Sequence, residues 1–206
     1  MAHSYDSLLN LVSGNVRDCT FYMLNGQHIV RKRSFSIQNP RTPYQQSNRK
    51  NIKPLLIFFR QLKPVLYLSL NDRSENQSAC NKFLSINLNA SMKNGIFDPA
   101  KFRMSTDSFP AARFEVSRQL ENRDSFWVRW SDVRDGDSLA SDRLLAVYYD
   151  VLSNAFQYAI TSKSRSDQEA SLSFKVSDPQ SGIFLYLCFV RADYSASSGL
   201  SVFEFT

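Results

Sequence analysis

Ile183-Phe184-Leu185-Tyr186-Leu187-Cys188-Phe189-Val190-Arg191 is one of a series of short alternating or apolar runs in the second half of this chain. The others are 101–105, 112–119, 125–130, 143–150, 155–160, 170–176 and 200–205. Polar breaks such as Asp135-Gly136-Asp137 and Asp178-Pro179 separate them. Seven or eight such runs are the pattern of an antiparallel β-sandwich of immunoglobulin or fibronectin kind. Trp127 and Trp130 are candidates for its core. Sixteen Phe and nine Tyr supply the aromatic bulk that strands and a sandwich core favour.

Outward from that block, the first half reads differently. Residues 16 to 33 form a β-hairpin around Asn25-Gly26, the preferred dipeptide of a two-residue type I′ turn. The turn sets the register: Leu24 faces Gln27, Tyr22 faces Ile29, Phe21 faces Val30 and Asp18 faces Arg33. A connector ends at Asn39-Pro40. Thr42-Pro43-Tyr44-Gln45 then starts a helix, with Thr42 as N-cap, Pro43 at the first position and Gln45 closing a capping box. Its apolar stripe is Ile52, Leu55, Phe59, Leu62 and Leu66. Pro54 predicts a kink or break around residues 50 to 54, and Pro64 a second irregularity. After a polar loop at 71–78, a second helix is predicted from Gln77 to Lys93. Cys80, Phe83, Leu84, Leu88 and Met92 share one side, and Asn94-Gly95 supplies the C-cap. The fold class is therefore α+β. Residues 1–98 make a hairpin-and-helix unit with a basic face, and residues 99–206 make the sandwich.

The basic face is a property of one segment. The chain carries a net charge of +6. Between Asp18 and Asp72 there is no Asp or Glu, and nine Lys and Arg fall in that gap. The remainder is net acidic. Arg31, Lys32, Arg33, Arg41, Tyr44, Arg49, Lys50 and Lys53 are the candidate contacts for nucleic acid or an acidic partner. Arg60 and Lys63 extend the same segment. Tyr44 and Phe35 are placed to stack on bases.

Other chemistry finds little support. Cys19, Cys80 and Cys188 are odd in number and lack a CxxC, which reads as three reduced thiols. The two histidines, His3 and His28, have no ligand-like neighbours. Asp132, Asp135, Asp137 and Asp142 offer loop oxygens for Ca²⁺, but their spacing is not that of an EF-hand and a polar inter-strand loop is the simpler reading. No Walker loop or GxGxxG is present. No catalytic residue, metal or cofactor is assigned. The N-terminus lacks the features of a secretory signal, and no apolar run approaches the ~20 residues of a membrane span. A cytoplasmic or particle-associated protein is expected.

A series of ordered motifs resembles an uncharacterised bacterial family, a domain of unknown function. Ser13-Gly14-Asn15-Val16 is similar to its GKVG-like opening. Asn25-Gly26, Ile29-Val30-Arg31, Pro40-Arg41-Thr42, Gln45, Arg49, Leu62-Lys63-Pro64 and Phe83/Asn87/Leu88 follow in order. Ser105-Thr106-Asp107-Ser108-Phe109-Pro110 resembles SRGSLP, and Val128-Arg129-Trp130-Ser131-Asp132 resembles FxWxD. Ser141-Asp142-Arg143 with Val147-Tyr148-Tyr149 resembles TDKxxxVVYN. Leu185 to Val190 resembles VYLAFVS. A family glycine is replaced around Arg17-Asp18, and Thr106 and Asp107 stand where SRGSLP has Arg and Gly. Pro54 interrupts a helix that the family leaves intact. The hairpin followed by NPRTxxQ and a helix also resembles small proteins of bacteriophages and mobile elements. The resemblance implies the fold rather than an activity. The function expected is that of a non-enzymatic structural or adaptor protein docking into a larger assembly, with protein partners among which further copies of itself are candidates. The alternative is nucleic-acid binding through the basic face.

Overall fold

The computed structural model describes residues 2–4, 13–24, 26–33, 39–71, 77–119, 124–131, 136–175 and 182–205. Asn25, Phe35, Asp132, Asp135, Asp178 and Pro179, together with most of the 71–78 loop, lie outside them. The chain forms two compact units, Met1–Thr42 and Pro43–Thr206.

The first unit is a four-stranded antiparallel sheet. Its strands are β1 (Ala2–Ser4), β2 (Gly14–Val16), β3 (Cys19–Leu24) and β4 (Gln27–Lys32), in the order β1-β4-β3-β2. β3 and β4 are the expected hairpin in the expected register, with Leu24 opposite Gln27, Tyr22 opposite Ile29 and Phe21 opposite Val30. The Arg33 N–H donates to the Asp18 carbonyl at 2.6 Å and extends the pairing by one rung. Gly26 has φ +76°, the left-handed backbone that its turn needs.

The second unit holds everything else. α1 (Pro43–Ser69) starts at Pro43 as the sequence predicts. It then runs unbroken through Pro54 and Pro64, so the expected break near residues 50 to 54 does not occur. A proline removes one intrahelical bond. Here the loss is offset by burial of Leu55, Phe58, Phe59, Leu62, Val65 and Leu66 along one side. α2 is shorter than expected, Ala79–Asn87, with the Ser78 hydroxyl accepting the Asn81 N–H at 3.1 Å as N-cap. The residues assigned to its end form a small hairpin, β5 (Met92–Lys93) with β6 (Ile96–Phe97). Asn94 and Gly95 have φ of +53° and +84°. A helix C-cap uses one left-handed residue, whereas a type I′ turn uses two in succession. The dipeptide thus closes a hairpin, not a helix.

Seven of the eight predicted runs are strands: β7 (Phe114–Arg118), β8 (Ser125–Trp130), β9 (Arg143–Asp150), β10 (Ala155–Ser164), β11 (Glu169–Ser173), β12 (Ile183–Val190) and β13 (Ser201–Phe205). They make two antiparallel sheets, β11-β8-β7 and β10-β9-β12-β13. The exception is 101–105. A 3-10 turn over Pro99–Lys101 delivers Phe102 and Met104 into the core, at 1% and 0% exposed. Asn87 stands in for a strand partner there. Its side-chain amide accepts the Arg103 N–H at 2.9 Å and donates to the Arg103 carbonyl at 2.7 Å.

All eight residues of β12 are buried. Because strand side chains alternate, it feeds two cores at once. Phe184, Tyr186, Cys188 and Val190 join Leu145, Val147 and Tyr149 of β9 beneath α1 and α2. Ile183, Leu185, Leu187 and Phe189 join Phe126, Val128 and Trp130 of β8 between the sheets. The unit is thus three layers, helices on sheet on sheet. The helix-side core contains an aromatic cluster, with Phe58, Phe97, Phe102, Tyr149 and Phe156 in tilted or edge contact. That core draws on residues on both sides of Asp98, where the sequence reading divided the chain.

Candidate functional site

The eight basic-segment candidates divide between the two units. Arg31 and Lys32 are exposed on β4 and, as strand neighbours, face opposite sides of their sheet. The Arg31 guanidinium lies 5.8 Å from the Tyr22 ring centroid. Arg33 follows the strand. Arg41 is exposed and holds φ +47°. Tyr44, Arg49, Lys50 and Lys53 belong to α1 and are all exposed, Tyr44 by 75%.

On α1 the cations are organised. With 3.6 residues per turn, Arg49, Lys53, Arg60 and Lys63 fall on one line, spaced by four, seven and three residues. They lie across the helix from the buried side, and all four are exposed. Tyr67 continues the line one turn on, with the Lys63 ammonium 5.7 Å from its ring centroid. The helix holds no carboxylate. Lys50 stands off this line beside the Asn94-Gly95 turn, where the Gly95 N–H donates to the buried Asn51 side chain at 2.7 Å.

A second cluster went unforeseen. Arg165 is 1% exposed and Asp142 is 0% exposed, with the Arg165 Nε 3.8 Å from the Asp142 carboxylate. Arg191 approaches the same carboxylate at 3.9 Å and donates to the Asp137 carbonyl. The Arg165 guanidinium sits 4.4 Å from the Phe189 ring centroid and 5.9 Å from that of Phe109. The Trp130 indole N–H donates to the Arg165 carbonyl at 2.7 Å. Burial pushes the Asp142 carboxyl above the usual range, while the Leu139 N–H and both guanidiniums pull it back. The arrangement fixes loops at one end of the two sheets. It also explains the motifs. Phe109, Trp130, Asp142 and Phe189 come from four separate segments of the resemblance, and all meet at Arg165. Those motifs were the only sequence signal for the cluster, and neither Arg165 nor Arg191 carried one.

A family model described as a family of unknown function, DUF6266, matches residues 12–202. The chain belongs to this family. In this DUF6266 protein Arg17 and Asp107 hold a left-handed backbone, with φ +48° and +55°, and the resemblance expects a glycine around Arg17-Asp18 and at Asp107. No curated protein matches the chain.

Burial pushes the Cys188 thiol up to about 12, so it stays protonated and is a poor nucleophile. The Asp142 carboxylate faces Arg165 and Arg191 and accepts the Leu139 N–H. Among the described residues, no three His, Cys, Asp or Glu side chains are placed to hold a metal ion. Among the same residues, no helix is long and apolar enough to cross a membrane. A groove of about 460 Å³ lies beside β13, lined by Phe102, Arg103, Asp107, Leu200 and Val202 among others. Its charges are already matched, Arg103 with Asp107 at 3.7 Å and the neighbouring Lys101 with Asp98 at 2.8 Å.

Proposed function

We propose that this DUF6266 protein is a non-enzymatic structural or adaptor protein that docks into a larger assembly, and that α1 presents the docking face. The observation that carries this is the division of α1. One side is locked into the core, and the other is an exposed line of cations without a carboxylate. Charge of one sign on a rigid element steers and orients an anionic partner. A phage or phage-like particle is the assembly favoured by the resemblance of the hairpin and the Asn39-Pro40-Arg41-Thr42 helix start. Protein subunits, including other copies of this chain, are the partners in this reading. Its location is the cytoplasm or the particle.

The sheets are read as an immunoglobulin- or fibronectin-like sandwich. Seven strands divided three and four support this, as does a chain that changes sheet after β8, β10 and β11. Trp130 in the core between the sheets fits as well. Such sandwiches serve as binding scaffolds, although that is an argument by fold analogy.

Native mass spectrometry of the protein purified from its source tests the reading. A complex of fixed stoichiometry that survives moderate salt is expected. A bare monomer under the same conditions contradicts it. The second reading, nucleic-acid binding through the basic segment, is favoured by the continuity of the α1 cations.

A further inference from the structure

We propose that the outer face of α1 binds the phosphodiester backbone of a nucleic acid, through Arg49, Lys53, Arg60 and Lys63. The proposal rests on the second reading above, nucleic-acid binding through the basic segment, and narrows it to one element and one ligand group. It also places the contact on the helix rather than on Arg31, Lys32, Arg33 and Arg41 of the N-terminal unit.

The geometry points this way for three reasons. First, the four cations are collinear. Fourteen residues separate Arg49 from Lys63, so at about 1.5 Å per residue the line is about 21 Å long. A duplex carries one negative charge per ~1.7 Å of its axis, so a cationic line of that length lies against a dense field of phosphates. Second, the line holds no carboxylate, and neither does the sequence from Cys19 to Asn71. Nothing on the helix therefore repels a polyanion. Third, two of the four are arginines, whose planar fork matches phosphate oxygens, and the line ends at Tyr67, an exposed ring suited to stacking on a sugar or base.

The test uses the full chain and fluorescein-labelled 20-mers, single-stranded and duplex, followed by fluorescence anisotropy. Four phosphate contacts give a log–log salt slope of about −3.6 for the duplex and about −2.8 for the single strand. Affinity for the duplex then falls about 100-fold between about 50 and 200 mM salt. The arm with the higher affinity at equal salt identifies the preferred form. Arg49→Gln, Lys53→Gln, Arg60→Gln and Lys63→Gln together abolish the binding. Arg31→Gln, Lys32→Gln and Arg33→Gln together leave most of it. Should the quadruple variant melt early, the single reversals Arg60→Glu and Lys63→Glu each lower affinity and serve in its place. Binding that the α1 variants do not weaken overturns the proposal, as does no binding to either oligonucleotide at the lowest salt. A polyglutamate arm separates the two readings. Capture of polyglutamate without either oligonucleotide overturns the phosphate proposal and leaves the docking face standing. Binding to none of the three overturns the phosphate proposal, and the docking reading then stands or falls on native mass spectrometry.

Discussion

Asp142 and Arg165 are both withdrawn from water, and each answers the other's charge. Removing one partner of such a pair strands the other, at a typical cost of about 3–5 kcal/mol. Asp142→Asn is therefore expected to lower stability by that amount in urea unfolding. Adding Arg165→Met recovers much of the loss, because an apolar side chain there lies against Phe109 and Phe189 without a charge to neutralise. A loss below about 1 kcal/mol for the single variant counts against a buried ion pair. Arg17 shows the converse case. It sits exposed at φ +48° in the turn between β2 and β3, a backbone that costs an L residue about 1–2 kcal/mol. Arg17→Gly is expected to stabilise the first unit by roughly 0.5–1 kcal/mol after the entropy of the added glycine is counted. A lower thermal midpoint contradicts the left-handed assignment. At this scale the sequence was only half legible. Gly26 announced its turn because φ > 0 is a local demand. Arg165 announced nothing, because its burial is created by four segments remote from it in the chain.

Elements were readable where one physical demand fixed them. The β3–β4 register followed from a two-residue turn, and Pro43 marked the start of α1. Runs such as 143–150 and 183–191 gave β9 and β12 because the strands between two cores must be apolar on both faces. Misreadings came where a local signal served two structures. Asn94-Gly95 suits a helix end and a hairpin turn alike, and only the pairing of Met92 with Phe97 decides between them. Phe102 and Met104 alternate like a strand, yet the hydrogen bonds of the intervening Arg103 go to the Asn87 side chain. That substitution of a side chain for a strand cannot be seen in a pattern of apolar residues. It gives a prediction. Asn87→Ala leaves the Arg103 N–H and carbonyl without their partner, and about 2–4 kcal/mol of stability is lost if each costs its desolvation. Chemical denaturation of the variant measures this directly. A change within about 0.5 kcal/mol shows that water or another group replaces the amide.

The whole molecule divides where the helix begins. The helix-side core takes residues from α1, α2, β9 and β12, so a cut after Asp98 splits a single packed layer. Limited proteolysis is expected to leave a resistant fragment that starts near Pro43 and retains both helices. A stable fragment that starts near residue 99 contradicts this. The sequence reading placed its boundary by the change from helical to strand pattern. That change is real, but it marks a change of layer within one core. The same packing gives α1 its role, since its apolar side is fixed to the sheet and its cations are left facing outward. Amine-reactive labelling of the protein in its source assembly, compared with the protein released from it, tests that role most directly. The account predicts that Lys53 and Lys63 are protected in the assembly while Lys163 and Lys175 label equally in both states. Equal labelling of all four lysines, or protection at Lys163 and Lys175 alone, would contradict it.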